Sequence, residues 1–311
     1  MASPILVPLD GSALSEQALP PAAGIARRTR APLHIVHVHV LSIPVGYPEA
    51  GVYFSAELEK HAREQEREYL DGVAARFPDL DVRTALLEGS IVNALEDYIA
   101  AERIGLVVMT THGRSGLSRA WLGSIADALI RHVEIPILLQ RPDPEGAEPA
   151  RDSWSHVLIP LDGSEVAESI LEHAVRIGSL THARYTLVQV VPPADQLSAA
   201  EVAIAAVLPP QRLQQVEADA LGYLESVADR LRAEGHDVRT AIVVHRQPAL
   251  GIIEKAKELG ADLIAIATHG RGGLRRVALG SVADKIIRST HLPLLVYRPP
   301  KQVRARQRFV A

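Results

Sequence analysis

Two hydrophobic rhythms alternate along this chain. Short runs of consecutive apolar residues occupy 4–9 (Pro-Ile-Leu-Val-Pro-Leu), 33–40, 82–87, 104–109 and 135–140. Runs of this length, rich in Val, Ile and Leu, predict strands buried on both faces. Between them lie stretches whose apolar positions recur every three to four residues, which predicts helices over 13–29, 55–76, 90–103 and 124–132. Asp10-Gly11-Ser12 breaks the first strand and places Ser12 as the cap of the first helix. Residues 41–53, with Pro44, Gly46 and Pro48, read as a loop. The same rhythm then returns, with strands over 156–161, 184–191, 238–244, 262–267 and 292–298 and helices between them.

The return is a duplication. Ile5-Leu-Val-Pro-Leu-Asp-Gly-Ser12 recurs as Leu158-Ile-Pro-Leu-Asp-Gly-Ser164, and 18 of 33 positions are identical between 110–142 and 267–299. A repeat of this size is a copied domain rather than a small-repeat solenoid. Strands that alternate with helices pair in parallel through right-handed crossovers. The expected fold class is therefore α/β: two tandem, doubly wound, five-stranded parallel-sheet domains with helices on both faces. The expected domains are 1–140 and 155–298, joined by a polar, Pro-rich linker over 141–154 and followed by a basic tail over 299–311 that carries Lys301, Arg304, Arg306 and Arg308.

Composition narrows the chemistry. Apolar residues make up 47% of 311 residues, enough for a core in each half, and the 4% of aromatics leaves Leu, Ile, Val and Ala to build it. The absence of cysteine excludes disulfides, thiolate metal sites and Cys nucleophiles. A net charge of −4 gives no global field for nucleic acid. No apolar run reaches membrane-spanning length, and the first residues do not read as a signal peptide. The expectation is a cytoplasmic protein that binds neither nucleic acid nor membrane.

The candidate chemistry lies in two turns of each copy. One is Asp-Gly-Ser after the first strand. The other is a Gly-rich loop after the fourth strand, Thr110-Thr-His-Gly-Arg-Ser-Gly-Leu-Ser-Arg-Ala-Trp-Leu-Gly-Ser124 and Ala267-Thr-His-Gly-Arg-Gly-Gly-Leu-Arg-Arg-Val-Ala-Leu-Gly-Ser281. In a doubly wound sheet both turns face the edge where ligands bind. Asp10 and Asp162 supply carboxylate acceptors for an amine or for ribose hydroxyls. Gly113 and Gly270 let the backbone approach a phosphate, and Arg114 and Arg271 stand beside them to neutralise charge. Gly123-Ser124 and Gly280-Ser281 open helices whose N–H groups and hydroxyls donate to phosphate oxygens. The loop is not a Walker A motif, having no Gly-Lys-Ser/Thr, and it lacks the position and spacing of the dinucleotide fingerprint.

With these residues the chain resembles a tandem universal stress protein of the ATP-binding type, over about 3–140 and 155–298. The family's pattern is Gly, two residues, Gly, nine residues, then Gly-Ser or Gly-Thr. Gly113 with Gly123-Ser124 and Gly270 with Gly280-Ser281 match its second part. Thr110 and Ala267 replace its first glycine, and Thr110 is the bulkier departure. The resemblance implies an adenine nucleotide alpha-hydrolase-like fold and ATP as ligand, with Mg²⁺ carried on the phosphates. Asp10 and Asp162 would meet the adenine–ribose side, Pro8 and Pro160 would shape that wall, and the backbone around Val36–Val38 and Val188–Val190 would flank the base. Gly113, Gly123, Ser124, Gly270, Gly280 and Ser281 would hold the phosphates. The implied role is a stress-response sensor or regulator with at most slow hydrolysis. The alternatives are a nucleotide-free interaction module of the same fold and a genuine ATPase, for which His112 or His269 is the available base. Members of the family usually dimerise through the last strand of the sheet. Here that implies an internal pseudo-dimer and a homo-oligomer built on the strands around Ile135-Pro136 and Leu292-Pro293.

Two further features stand out. His34, His37 and His39 crowd the second strand, and His37 and His39 share a face. They read as ordinary strand histidines rather than as a metal site, since no third ligand follows at a fitting spacing. The helix over 55–76 is heavily charged and reads as a solvated face.

Overall fold

The computed structural model describes residues 2–40, 56–111, 122–142, 151–193, 211–268 and 279–300. They form two compact units, one centred on each copy of the repeat. The linker between 143 and 150, the tail from 301, the 41–53 loop and most of both Gly-rich loops lie outside the described residues.

In the first unit the order is β1 (Ile5–Leu9), α1 (Ala13–Glu16), α2 (Leu19–Thr29), β2 (Leu33–His39), α3 (Ala56–Ala74), β3 (Val82–Glu88), α4 (Ile91–Ala101), β4 (Leu106–Thr110), α5 (Ser124–His132) and β5 (Ile137–Gln140). The strands lie in the order β3-β2-β1-β4-β5. The β1–β2, β1–β4 and β2–β3 pairs are parallel, as the helical crossovers require. Every residue of β2 and β4 is buried, while β3 at the edge is partly exposed. That gradient is the reason the central runs are largely apolar, with the buried histidines of β2 as the exception. From β1 the chain proceeds to β2 on one side and later reaches β4 on the other, so the sheet reverses direction between β1 and β4. A crevice opens at the C-terminal ends of strands at such a reversal.

The second unit repeats the plan with β6 (His156–Pro160), α6 (Glu165–Glu168), α7 (Leu171–Gly178), β7 (Arg184–Val191), α8 (Gln211–Ala233), β8 (Val238–Val244), α9 (Pro248–Leu259), β9 (Leu263–Ala267), α10 (Ser281–Ser289) and β10 (Leu294–Tyr297). Its order is β8-β7-β6-β9-β10, all in parallel. No helix among the described residues is long and apolar enough to cross a membrane.

The strands fall where the apolar runs place them, with ends shifted by one or two residues. The helix expected over 13–29 is two helices. Leu19-Pro20-Pro21 restarts the chain as the first turn of α2, where missing N–H groups cost nothing. The second unit breaks at the same place without proline. There the Ser169 hydroxyl donates to Val166 O at 2.6 Å and Ser169 closes α6. Different residues thus produce the same short helix after β1 and β6.

Candidate functional site

The turn after β1 is held by its own side chains. Gly11 adopts φ +82°, a conformation that residues with a Cβ rarely reach. The Asp10 carboxylate Oδ1 accepts from the Ser12 N–H at 3.0 Å and from the Ser12 hydroxyl at 2.6 Å. Ser12 Oγ in turn accepts from the Ser15 N–H at 3.2 Å, which caps α1. The second unit copies this turn: Gly163 has φ +83°, Ser164 N–H donates to Asp162 Oδ1 at 3.0 Å, and Ser164 Oγ caps α6. Each aspartate therefore orders its turn, and Asp10 also lines the first unit's crevice.

A cavity of about 450 Å³ fills the crevice of the first unit. At one end it is lined by Thr110 and Thr111 and by Gly123, Ser124, Ile125 and Ala126 of the α5 N-terminus. No side chain caps α5, and the N–H groups of Ser124, Ile125 and Ala126 have no acceptor among the described residues. The Gly123 N–H does not belong with them, because it donates to Thr111 O at 2.8 Å. The matching Gly280 N–H donates to Thr268 O at 2.7 Å. In both copies the glycine N–H expected to hold phosphate ties the loop to the preceding strand, and the donors begin one residue later. The cavity wall between the two ends is apolar, from Pro8, Leu9, Leu95 and Met109. Thr110 lines the space without closing it.

The other end of the cavity is formed by β2 and α3 through His37, Val38, Val40 and Glu66, with Asp10 alongside. His37 is 6% exposed, and its Nδ1 lies 2.8 Å from Leu9 O. A carbonyl only accepts, so Nδ1 carries a hydrogen, and Nε2 lies 3.5 Å from Glu66 Oε1. His39 is 4% exposed; Nδ1 meets Glu66 Oε2 at 2.7 Å, and Nε2 meets Glu59. With a carboxylate on each nitrogen His39 is an imidazolium. Burial opposes that charge, but the hydrogen bonds of Glu59 and Glu66 outweigh it and raise its pKa. His34 behaves differently. It is fully buried with Nδ1 2.9 Å from the Tyr98 hydroxyl, and burial lowers its pKa. Among the described residues no group of three His, Asp or Glu side chains is placed to hold a metal ion.

Both turns are braced from behind. Glu16 of α1 accepts from the Tyr69 hydroxyl at 3.0 Å and from Arg76 at 2.6 Å, both on α3. Glu168 of α6 accepts from Tyr223 at 3.0 Å and Arg230 at 2.5 Å, both on α8. Burial and the neighbouring glutamate push both phenols well above their ordinary pKa.

Of the sequence-predicted residues, Pro8, Asp10, Val38, Gly123 and Ser124 come together around the cavity. The Val36 side chain does not take part; it is fully buried one pleat below. In the second unit Pro160 and Val188 are buried, Asp162 and Val190 are half-buried at the ends of β6 and β7, Ala267 ends β9, and Gly280-Ser281 opens α10 without a side-chain cap. Gly113, Arg114, Gly270 and Arg271 lie outside the described residues, as do His112 and His269. The cavity residue that sequence reasoning missed is Glu66, together with the part played by His37. Most charges of α3, Glu57, Lys60, Glu64, Arg67, Glu68 and Asp71, are exposed as expected, but three turn inward. Glu59, Arg63 and Glu66 continue, at helical spacing, the stripe of the buried Leu70 and Val73, and that continuity is the signal that marks them as inward-facing.

Comparison with known proteins agrees with this architecture. The chain matches the Universal stress protein family twice, over residues 1–141 and 153–298. It is 30% identical over 312 residues to a universal stress protein of Mycolicibacterium smegmatis, an alignment covering 95% of this chain and 97% of that one. A universal stress protein of Mycobacterium tuberculosis is 28% identical over 309 residues, with 94% and 96% covered. Among solved structures, a universal stress protein from Archaeoglobus fulgidus shares the fold at a TM-score of 0.66 and 20% identity, covering 95% of this chain and 98% of that chain.

Proposed function

The chain belongs to the universal stress protein family, and we propose that it works in the stress response as an ATP-binding sensor or regulator, with the first unit's cavity as a nucleotide site. The observation that supports this is the polarity of that cavity. One end is an uncapped helix N-terminus, whose N–H groups and dipole favour phosphate. The other end carries the carboxylates Asp10 and Glu66, which repel phosphate and suit a base and ribose. Apolar walls from Pro8, Leu9, Leu95 and Met109 between them suit the flat faces of a purine. β2 and β4 flank β1, so the two ends are two strand spacings apart, about 10 Å, the scale of a nucleotide.

In this reading the triphosphate lies on Ser124, Ile125 and Ala126, with Gly113 and Arg114 completing the clamp. Mg²⁺ rides on phosphate oxygens and water, since the described residues offer no cage for it. The described phosphate end carries hydroxyls and backbone donors rather than an acid–base side chain, which favours binding over fast turnover. Asp162, Gly270, Arg271, Gly280 and Ser281 repeat the arrangement in the second unit. Calorimetric titration of the full chain with ATP and Mg²⁺ is expected to show micromolar binding. No heat and no saturation at millimolar ATP would overturn the reading.

A further inference from the structure

We propose that the seam between α3 and β2 is a pH-sensitive latch: while charged, His39 holds the N-terminal half of α3 closed over one end of the first unit's cavity, and when it loses its proton that half of the helix is released. The latch acts on a wall of the proposed nucleotide site, but it stands on its own geometry and is tested without nucleotide.

The two halves of α3 are held by different forces. Its buried apolar residues, Leu70 and Val73, lie toward the C-terminal end. Between 57 and 69 no residue is buried, and Leu58 is 72% exposed. This half is fastened to the sheet by the cluster on the buried His39, where Nδ1 meets Glu66 Oε2 at 2.7 Å and Nε2 meets Glu59 Oε1. A neutral imidazole has one hydrogen and serves only one of two carboxylates, so loss of the proton turns the other contact into one between acceptors. The surrounding groups do not replace that proton. Arg63 lies 3.5 Å from Glu59 but also 3.5 Å from Glu88 of β3. His37 of β2 stands 3.5 Å from Glu66, and Asp10 after β1 adds another carboxylate to the same end of the cavity. Glu16 of α1 is engaged by Tyr69 and Arg76. Glu66 lines the cavity beside Val38 and Val40, so release of this half of α3 takes away a wall.

The second unit has the same seam without the latch. Tyr223 and Arg230 of α8 repeat the spacing of Tyr69 and Arg76 of α3. In that register Leu213 and Ala220 stand where α3 has Glu59 and Glu66, and Val191 of β7 stands where β2 has His39. Val191 and Ala220 are buried. Three ionisable residues of one copy are thus three apolar residues of the other, and apolar contact carries no proton to lose. In the first unit docking and protonation are linked. Burial of His39 opposes its charge, but the hydrogen bonds from Glu59 and Glu66 raise its pKa above 6.5. Docking is therefore tightest at and below about pH 6.5 and weakens as pH climbs through the raised value, tenfold for each pH unit of separation.

The test is amide hydrogen exchange of the full chain, expressed as protection factors and followed from about pH 6 upward beside an NMR titration of the His39 ring. Protection over 57–66 is expected to fall at least about tenfold as His39 titrates, while Leu70–Ala74 and α8 keep theirs. His39→Gln should show the low value at every pH. His39→Val combined with Glu59→Leu and Glu66→Ala, which installs the residues of the second unit, should show the high value at every pH. Wild-type protection unchanged across the His39 titration would overturn the latch, as would a fall that persists in His39→Gln or in the triple variant. Because no nucleotide is present, the outcome decides the latch whether or not the cavity takes ATP.

Discussion

Gly178, at the end of α7, shows how a single missing Cβ places an element. A Cβ added there would lie 2.5 Å from the Tyr185 hydroxyl and within 3 Å of two further ring atoms. Tyr185 has no room to yield, being fully buried on β7 with its hydroxyl donating to Val175 O at 3.1 Å. The glycine is there for close approach, since its φ of −65° is ordinary. Gly178→Ala should therefore push α7 away from the sheet and destabilise the second unit by about 1–3 kcal/mol, the usual cost of overpacking. Chemical denaturation of the wild type and the variant measures it, and a midpoint unchanged by the substitution would refute the packing argument. Gly105 follows the same logic in the first unit, where Ser3 Cβ sits 2.3 Å from the position a Cβ would take. Its counterpart in the repeat, Asp262, carries a side chain because that space is open to it. Its carboxylate accepts from the backbone N–H groups of Ser155 and His156 and from the Ser155 hydroxyl.

At the scale of elements, α3 owes its position to charge as much as to apolar contact. Leu70 and Val73 bury its C-terminal half, while the N-terminal half is held by Glu59 and Glu66 on the His39 imidazolium. Arg63 lies 3.5 Å from Glu59 and from Glu88 of β3, the register partner of His39, and His37 stands beside Glu66. The folded pKa of His39 is raised, so its contribution to stability is complete below its unfolded value of about 6.5 and is lost as pH climbs through the folded value. The melting-temperature gap between wild type and His39→Gln should accordingly be widest at and below about pH 6 and narrow as the pH rises through the folded value. A gap constant across that range would mean that His39 is neutral in the fold. This clamp also marks where sequence reading stops. The alternation of runs and periods made the strands, their parallel order and the Asp10–Ser12 turn legible, because each depends on residues close in sequence. The pairing of His39 with Glu59 and Glu66 joins residues 20 and 27 positions apart across the 41–55 segment. It depends on which way α3 turns its face, which the spacing of Glu59, Arg63 and Glu66 with Leu70 and Val73 marks, but their charge hides which partner they meet. The break between α1 and α2 was written in Leu19-Pro20-Pro21, but the break between α6 and α7 was hidden in one serine hydroxyl.

At the scale of the whole chain, duplication is the fact with the largest functional consequence. Each unit carries the aspartate turn with glycine at positive φ, the serine-capped short helix, the Glu–Tyr–Arg brace, and an uncapped helix after the Gly-rich loop. What differs is the lining. Thr110 stands where the second copy has Ala267, and His37 and Glu66 stand against Gln189 and Ala220. The altered positions fall at both ends of the first unit's cavity, Thr110 beside the α5 N-terminus and His37 and Glu66 beside Asp10. Because each unit carries the same aspartate turn and the same uncapped helix, the chain should bind two nucleotides, one per unit. Titration to saturation should give two ATP per chain. Gly270→Val, which puts a branched residue in the second Gly-rich loop, should reduce this to one. Gly113→Val should also leave one site. If Gly270→Val left two sites, the phosphate clamp of the second unit would have to be built from other residues.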